Sequence, residues 1–119
     1  MRYNYKGKQI YLACGATNMR NSIDGLASIV QSRFKLPPAS NAIFVFCNAV
    51  RDRIKILEWD GDGFWLHYKR LERGRFPWPK KGGDEKTMTL SQRELEYLLN
   101  GEKLRLKFDR INYAGRRTV

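Results

Sequence analysis

The sequence predicts an α+β fold: a mostly antiparallel sheet of about four to five strands with two helices packed on one face. Three observations lead there. Runs of β-branched and aromatic residues of strand length recur between residues 9 and 70. Two apolar stripes at helical spacing stand apart from them, around residues 19–34 and 95–99. Asp60-Gly61 separates two of the strand-like runs, and Asp-Gly is a strong signal for a tight hairpin turn.

The elements follow in order. Residues 9–14 read as a first strand. Gly15 turns the chain, and Thr17 or Asn18 is placed to cap a helix. Met19, Ile23, Leu26, Val30 and Phe34 then form one apolar face of a helix over about 19–34. Gly25 inside it disfavours the helix, which points to a close packing contact. Pro37-Pro38 ends the unit. Residues 42–47 are continuously apolar, as in a central strand covered on both faces. Residues 53–59 and 64–69 are the arms of the hairpin, and alternation in the first arm breaks after Ile56, as a bulge would do. Residues 72–83 hold two prolines and three glycines, which excludes a regular helix or central strand and leaves a basic loop. Thr89 with Gln92 matches a capping box for a second helix striped by Leu95, Leu98 and Leu99 and ended by Gly101. Residues 103–119 begin with alternation, Lys103, Arg105 and Lys107 on one side and Leu104, Leu106 and Phe108 on the other; an edge strand and a tail that orders on a partner both fit. The expected division is a single α+β domain over 1–102 followed by the basic segment 103–119.

Composition bounds the function. A chain of 119 residues, 42% hydrophobic, is one domain in size and has apolar surface enough for a core. No apolar run approaches the ~18 residues of a membrane span, and residues 1–8 lack the features of a secretory signal, so a cytoplasmic protein without a membrane partner is expected. Cys14 and Cys47 read as reduced, buried thiols. The net charge is +11 and unevenly spread: residues 1–20 carry +4, 21–50 +1, 51–81 +4, 82–102 −3 and 103–119 +5. An excess of that size repels itself in a compact state unless a polyanion offsets it, which points to nucleic acid.

Catalytic chemistry finds little support. Asp52, Glu58, Asp60 and Asp62 could be read as metal-binding carboxylates of a nuclease. Asp60 and Asp62 sit in a Gly-rich turn, however, where Asp is favoured for hydrogen bonding to backbone amides. His67 has no acid or nucleophile beside it in sequence and reads as a half-buried sheet histidine. No Gly-rich phosphate loop and no nucleophile elbow is present. No cofactor, no metal site and no enzyme activity is expected.

The stronger signal is basic residues interleaved with aromatics. Arg51, Arg53 and Lys55 recur at every second position, as on one side of a strand. Lys69, Arg70, Arg73 and Arg75 follow the second arm, and Phe76, Trp78, Lys80 and Lys81 fill the loop; Arg20 adds a further cation. Lys and Arg can neutralise phosphates while Phe76 or Trp78 stacks on a base or wedges into a groove. Equally, Phe76 and Trp78 could be core anchors that staple the loop to the sheet.

Several blocks resemble one family. Tyr11-Leu12-Ala13-Cys14-Gly15, Thr17-Asn18-Met19-Arg20 and Ile23-Asp24-Gly25-Leu26 are similar to the opening of the small accessory protein encoded beside the transposase in bacterial insertion sequences of the sixty-six class, the Orf-two-like or TnpB accessory protein. Arg51-Asp52-Arg53-Ile54-Lys55, Trp59-Asp60-Gly61-Asp62-Gly63-Phe64, Tyr68-Lys69-Arg70-Leu71-Glu72 and Gly74-Arg75-Phe76-Pro77-Trp78-Pro79 continue it in order, and Leu98-Leu99-Asn100-Gly101 closes it. The tail 103–119 departs from the family's histidine- or proline-containing pattern. The resemblance implies support of transposition, with a separate transposase doing the strand chemistry, and it brings no catalytic residues. Expected partners are DNA, at the transposon ends, and the transposase of the same element. An adaptor for the transposase with incidental DNA affinity is the alternative.

Overall fold

A computed structural model of the chain describes residues 7–79 and 86–100. Lys80, Lys81, the expected stop at Gly101 and the basic segment 103–119 lie outside the described residues. Five strands form one sheet: β1 (Gln9–Ala13), β2 (Ala42–Cys47), β3 (Arg53–Trp59), β4 (Phe64–Arg70) and β5 (Thr87–Leu90), in the spatial order β4-β3-β2-β1-β5. β1 and β2 run parallel, and the other three pairings are antiparallel. The α+β class with a mostly antiparallel sheet is therefore the observed one.

The parallel pair needs a crossover, which the first helical unit supplies. It consists of α1 (Ile23–Ile29) and a π-helical turn over Val30–Phe34, closed by Lys35 in the left-handed conformation. It starts later than the periodicity suggests, because Met19 belongs to the preceding loop and Ser22 is the N-cap. Gly25 does mark a close contact: a Cβ there would lie 2.3 Å from the side-chain oxygen of Asn21.

The expectation of both helices on one face is corrected. Leu26, Val30 and Phe34 pack on Phe44, Phe46 and Leu57, whereas α2 (Gln92–Leu99) packs Leu95, Leu98 and Leu99 with Ile10, Ile43 and Ile56. Adjacent strand residues such as Ile43 and Phe44 point to opposite faces, so the two helices cover opposite sides. The reason lies in β2, which is buried at all six positions and requires cover on both sides.

Two further expectations change. β3 contains no bulge: Arg53–Trp59 pairs one to one with Phe64–Arg70. Alternation survives because Glu58 takes the inward position after Ile54 and Ile56, buried against Lys8 and His67. The second helix begins two residues later than expected. Ser91, not Thr89, is the N-cap; its side chain accepts from Glu94 N–H while Glu94 accepts from Ser91 N–H, a complete capping box. Thr87–Leu90 becomes β5 and pairs with β1.

Candidate nucleic-acid interface

The C-terminal ends of β1, β2 and β4 and the start of β3 lie at one end of the sheet. Three loops gather there, over 14–22, 48–52 and 71–79. Cross-links join them. Gly15, at φ +78°, donates its N–H to Pro79 C=O, and Thr17 N–H bonds Cys47 C=O at 2.7 Å. Leu71 N–H bonds Asp52 C=O, and Phe76 N–H bonds Arg51 C=O at 2.6 Å. The left-handed conformation at Gly15 suits a residue without Cβ.

The loop after β2 is organised by Asn48. Its side-chain oxygen accepts from the backbone N–H groups of Asp52 and Arg53, both at 3.0 Å, and its amide nitrogen donates to the Asp52 carboxylate at 2.7 Å. This small network holds Arg51 at φ +64°, a conformation costly for a residue with a side chain. Arg51 is therefore in the turn and not, as its spacing suggested, on the strand with Arg53 and Lys55.

Between the 14–22 and 48–52 loops, against β3 and β4, opens a groove of about 840 Å³. Arg20, Arg53 and Lys55 line it with Thr17, Val50 and Tyr68. Lys55 donates to the carbonyls of Met19 and Asn21 at 2.9 and 2.8 Å, tying β3 to the 18–21 loop, and its ammonium lies 5.9 Å from the Tyr68 ring centroid. Tyr68 itself is 55% exposed. Two buried polar atoms on the groove residues, Thr17 Oγ1 and Arg53 Nε, have no hydrogen-bond partner among the described residues.

The structure divides the basic residues expected to act together. Arg53 faces the same side as its cross-strand neighbour Arg70, which bonds Glu72 at 3.0 Å. Arg73 and Arg75 are exposed on the loop that docks against Arg51-Asp52. Lys69 points to the opposite face and donates to Leu99 C=O at 2.7 Å, capping the end of α2. Phe76 and Trp78 are 1% and 5% exposed within the α2-side core, and Trp78 Nε1–H donates to Ala13 C=O. Both rings are staples of the loop, which corrects the expectation that either is offered to a base. Thr17, Asn48, Val50 and Tyr68 were not anticipated. Tyr68 carried one legible signal: it alternates with Arg70 and faces Lys55 across the hairpin.

The carboxylates do not converge. Glu58 is buried on the α2 side with Lys8 and with His67, whose Nε2 lies 2.9 Å from it. Asp52 is engaged by Asn48 at the opposite end of β3 from Asp60. Asp60 accepts from the Trp65 indole, which lowers its pKa from the ordinary carboxylate value. Among the described residues no group of three or more His, Cys, Asp or Glu is placed to hold a metal ion. Cys14 and Cys47 are both buried thiols, and burial pushes Cys47 up to about 12. Among the described residues no helix is long and apolar enough to cross a membrane.

The family model described as IS66 Orf2 like protein matches residues 8–107. Two uncharacterized proteins of Sinorhizobium fredii are similar. One, y4hO, is 39% identical over 93 residues, covering 78% of this chain and 79% of the relative. The other, y4jC, is 35% identical over 74 residues, covering 62% and 63%. No solved structure matches the chain.

Proposed function

The chain belongs to the IS66 Orf2-like family of insertion-sequence accessory proteins, and on that premise we propose that it is a non-catalytic, cytoplasmic DNA-binding protein that supports transposition beside a separate transposase. The observation that carries the reading is the convergence of Arg20, Arg53 and Lys55 on one groove, in a chain of net charge +11. Arg51, Arg70, Arg73 and Arg75 extend positive charge over the same end of the sheet. Among the described residues Arg20, Arg51, Arg73 and Arg75 form no ion pair with a carboxylate, so their charge is available to phosphates. The non-catalytic half of the reading rests on the family, whose members act beside a separate transposase.

Gel-shift binding to the terminal inverted repeats across a salt series tests it. Each phosphate neutralised contributes about −0.9 to the slope of log affinity against log salt on duplex DNA. A steep linear fall is expected. Absence of binding to any DNA at low salt overturns the proposal.

The adaptor reading has one observation in its favour. Trp65, on the α2 side of β4, is 57% exposed and stacks on His67, and an exposed aromatic of this kind can anchor a protein partner. A pull-down with purified transposase, with nuclease added to remove bridging DNA, separates the two readings. Retention that is lost in Trp65→Ala and kept in Arg20→Ala/Arg53→Ala favours the adaptor.

A further inference from the structure

We propose that the groove beside Tyr68 takes a single unpaired DNA nucleotide, such as one at a frayed or single-stranded end, with its base against Tyr68 and Val50 and its phosphate on Arg20 and Arg53. The proposal rests on the DNA-binding reading above and adds which form of DNA the site selects.

Size supports it. A volume of about 840 Å³ falls in the range that holds one small organic molecule. Position is consistent with it, since the loops that follow β1 and β2 are tied to each other by the Thr17 N–H to Cys47 C=O bond and so present a fixed wall to the groove.

The lining has the mixed chemistry of a nucleotide. Tyr68 is more than half exposed, and Val50, on the same groove, is an exposed apolar side chain. Unstacked bases are held on such surfaces without sequence preference, because every base has a π-face. The Arg20 and Arg53 guanidinium groups supply the cations a phosphate requires. Lys55 is already bound to two carbonyls and so fixes the wall of the groove and the Tyr68 ring.

Thr17 is the independent observation. The residue is only 5% exposed, it lines the groove, and its hydroxyl has no partner among the described residues. Arg53 Nε shares that condition. Buried polar atoms are almost always satisfied, so two left without a partner on residues that line one groove call for an explanation, and a ligand that draws their side chains toward it supplies one. A phosphate or base edge offers acceptors to both once their side chains turn toward it, since neither atom is solvent-accessible in the described conformation.

The test uses the full chain and fluorescence anisotropy. Affinity is measured for a flush duplex and for the same duplex carrying a short single-stranded extension. The extended form should bind at least about fivefold tighter, the lower end of what stacking one base on an aromatic contributes. Tyr68→Ala should bring the ratio to about one, and Tyr68→Phe should keep it. Thr17→Val, which removes the hydroxyl at nearly constant volume, should reduce the ratio while raising thermal stability. Equal affinity for both forms in the wild type overturns the proposal, as does a ratio unchanged in Tyr68→Ala. Tighter binding of an RNA extension than of the DNA one overturns the assignment to DNA. Failure of every form to bind at low salt overturns the DNA-binding reading itself, so the two failures are distinct.

Discussion

The two ends of the sheet are built on opposite principles. At the hairpin end, around 60–63, charged and polar groups are satisfied locally. Asp60 accepts the Trp65 indole, Asp60 N–H bonds Gly63 C=O, and Glu58 is held between Lys8 and His67. At the loop end the backbone is cross-linked but many side chains are not. Arg51 sits in a costly conformation, and among the described residues several arginines lack carboxylate partners and two buried polar atoms lack hydrogen bonds. A rigid frame holding unsatisfied groups is the usual arrangement at a binding site, because the frame carries the strain and the ligand supplies the missing partners. The contrast teaches that charge alone does not locate the site. Lys8, Lys55 and Lys69 are all basic, yet each is committed to a carboxylate or a carbonyl inside the fold.

Four experiments break or sharpen this comparison. The largest effect is expected from Trp78→Ala, which removes a buried staple of the loop end and its bond to Ala13 C=O. Loss of a buried aromatic of this size costs about 3–5 kcal/mol, to be read by denaturant unfolding. A cost below about 1 kcal/mol would mean that the loop end is not rigidly framed.

Next is the double variant Arg20→Ala/Arg53→Ala. It should weaken DNA binding and reduce the salt slope by about 2, because two phosphates are then left without their cations. The matching change at the hairpin end, Asp60→Asn/Asp62→Asn, should leave the slope unaltered. Equal effects from both ends would abolish the distinction drawn between them.

The ends should also differ in their response to pH. Cys47, buried where β2 enters the loop end, has a folded pKa raised from 9.0 to about 12. Its unfolded thiol ionises first, so its contribution to stability is fully present below about pH 9 and is lost as pH rises toward 12. Stability should therefore decline more steeply over that window in the wild type than in Cys47→Ala. Asp60 has the opposite sign: its lowered pKa gives a contribution that is lost as pH falls through the folded value, and full exposure keeps it small.

The smallest effect concerns Arg51. Arg51→Gly relieves the left-handed conformation and should raise stability by up to about 1 kcal/mol while weakening DNA binding. Thermal unfolding and a binding titration on the same preparation check both halves. A gain in stability with affinity intact would show that the strain at Arg51 serves no binding role.

Much of the fold was legible because its signals are local. The six apolar residues of β2, the Asp60-Gly61 turn and the leucine stripe of α2 each declare themselves within a few positions. The site was half legible. The arginines were visible as a set, whereas Tyr68, Thr17, Val50 and Asn48 come from separate loops and strands and meet only in space. The blocks Thr17–Arg20, Arg51–Lys55 and Tyr68–Leu71, which carry the family resemblance, are the segments that meet around the groove.

Sequence by itself determined the strand-rich α+β class, the basic character and the family, since composition, periodicity and motif order are properties of the chain read in one dimension. Tertiary structure alone decided that the helices cover opposite faces, that Phe76 and Trp78 are core anchors, that Lys69 caps α2, and that Arg20 and Arg53 line one groove. The physical reason is common to all four. A side chain becomes buried, paired or available according to the partners that distant segments bring to it, and those partners are fixed by the pairing order of the strands.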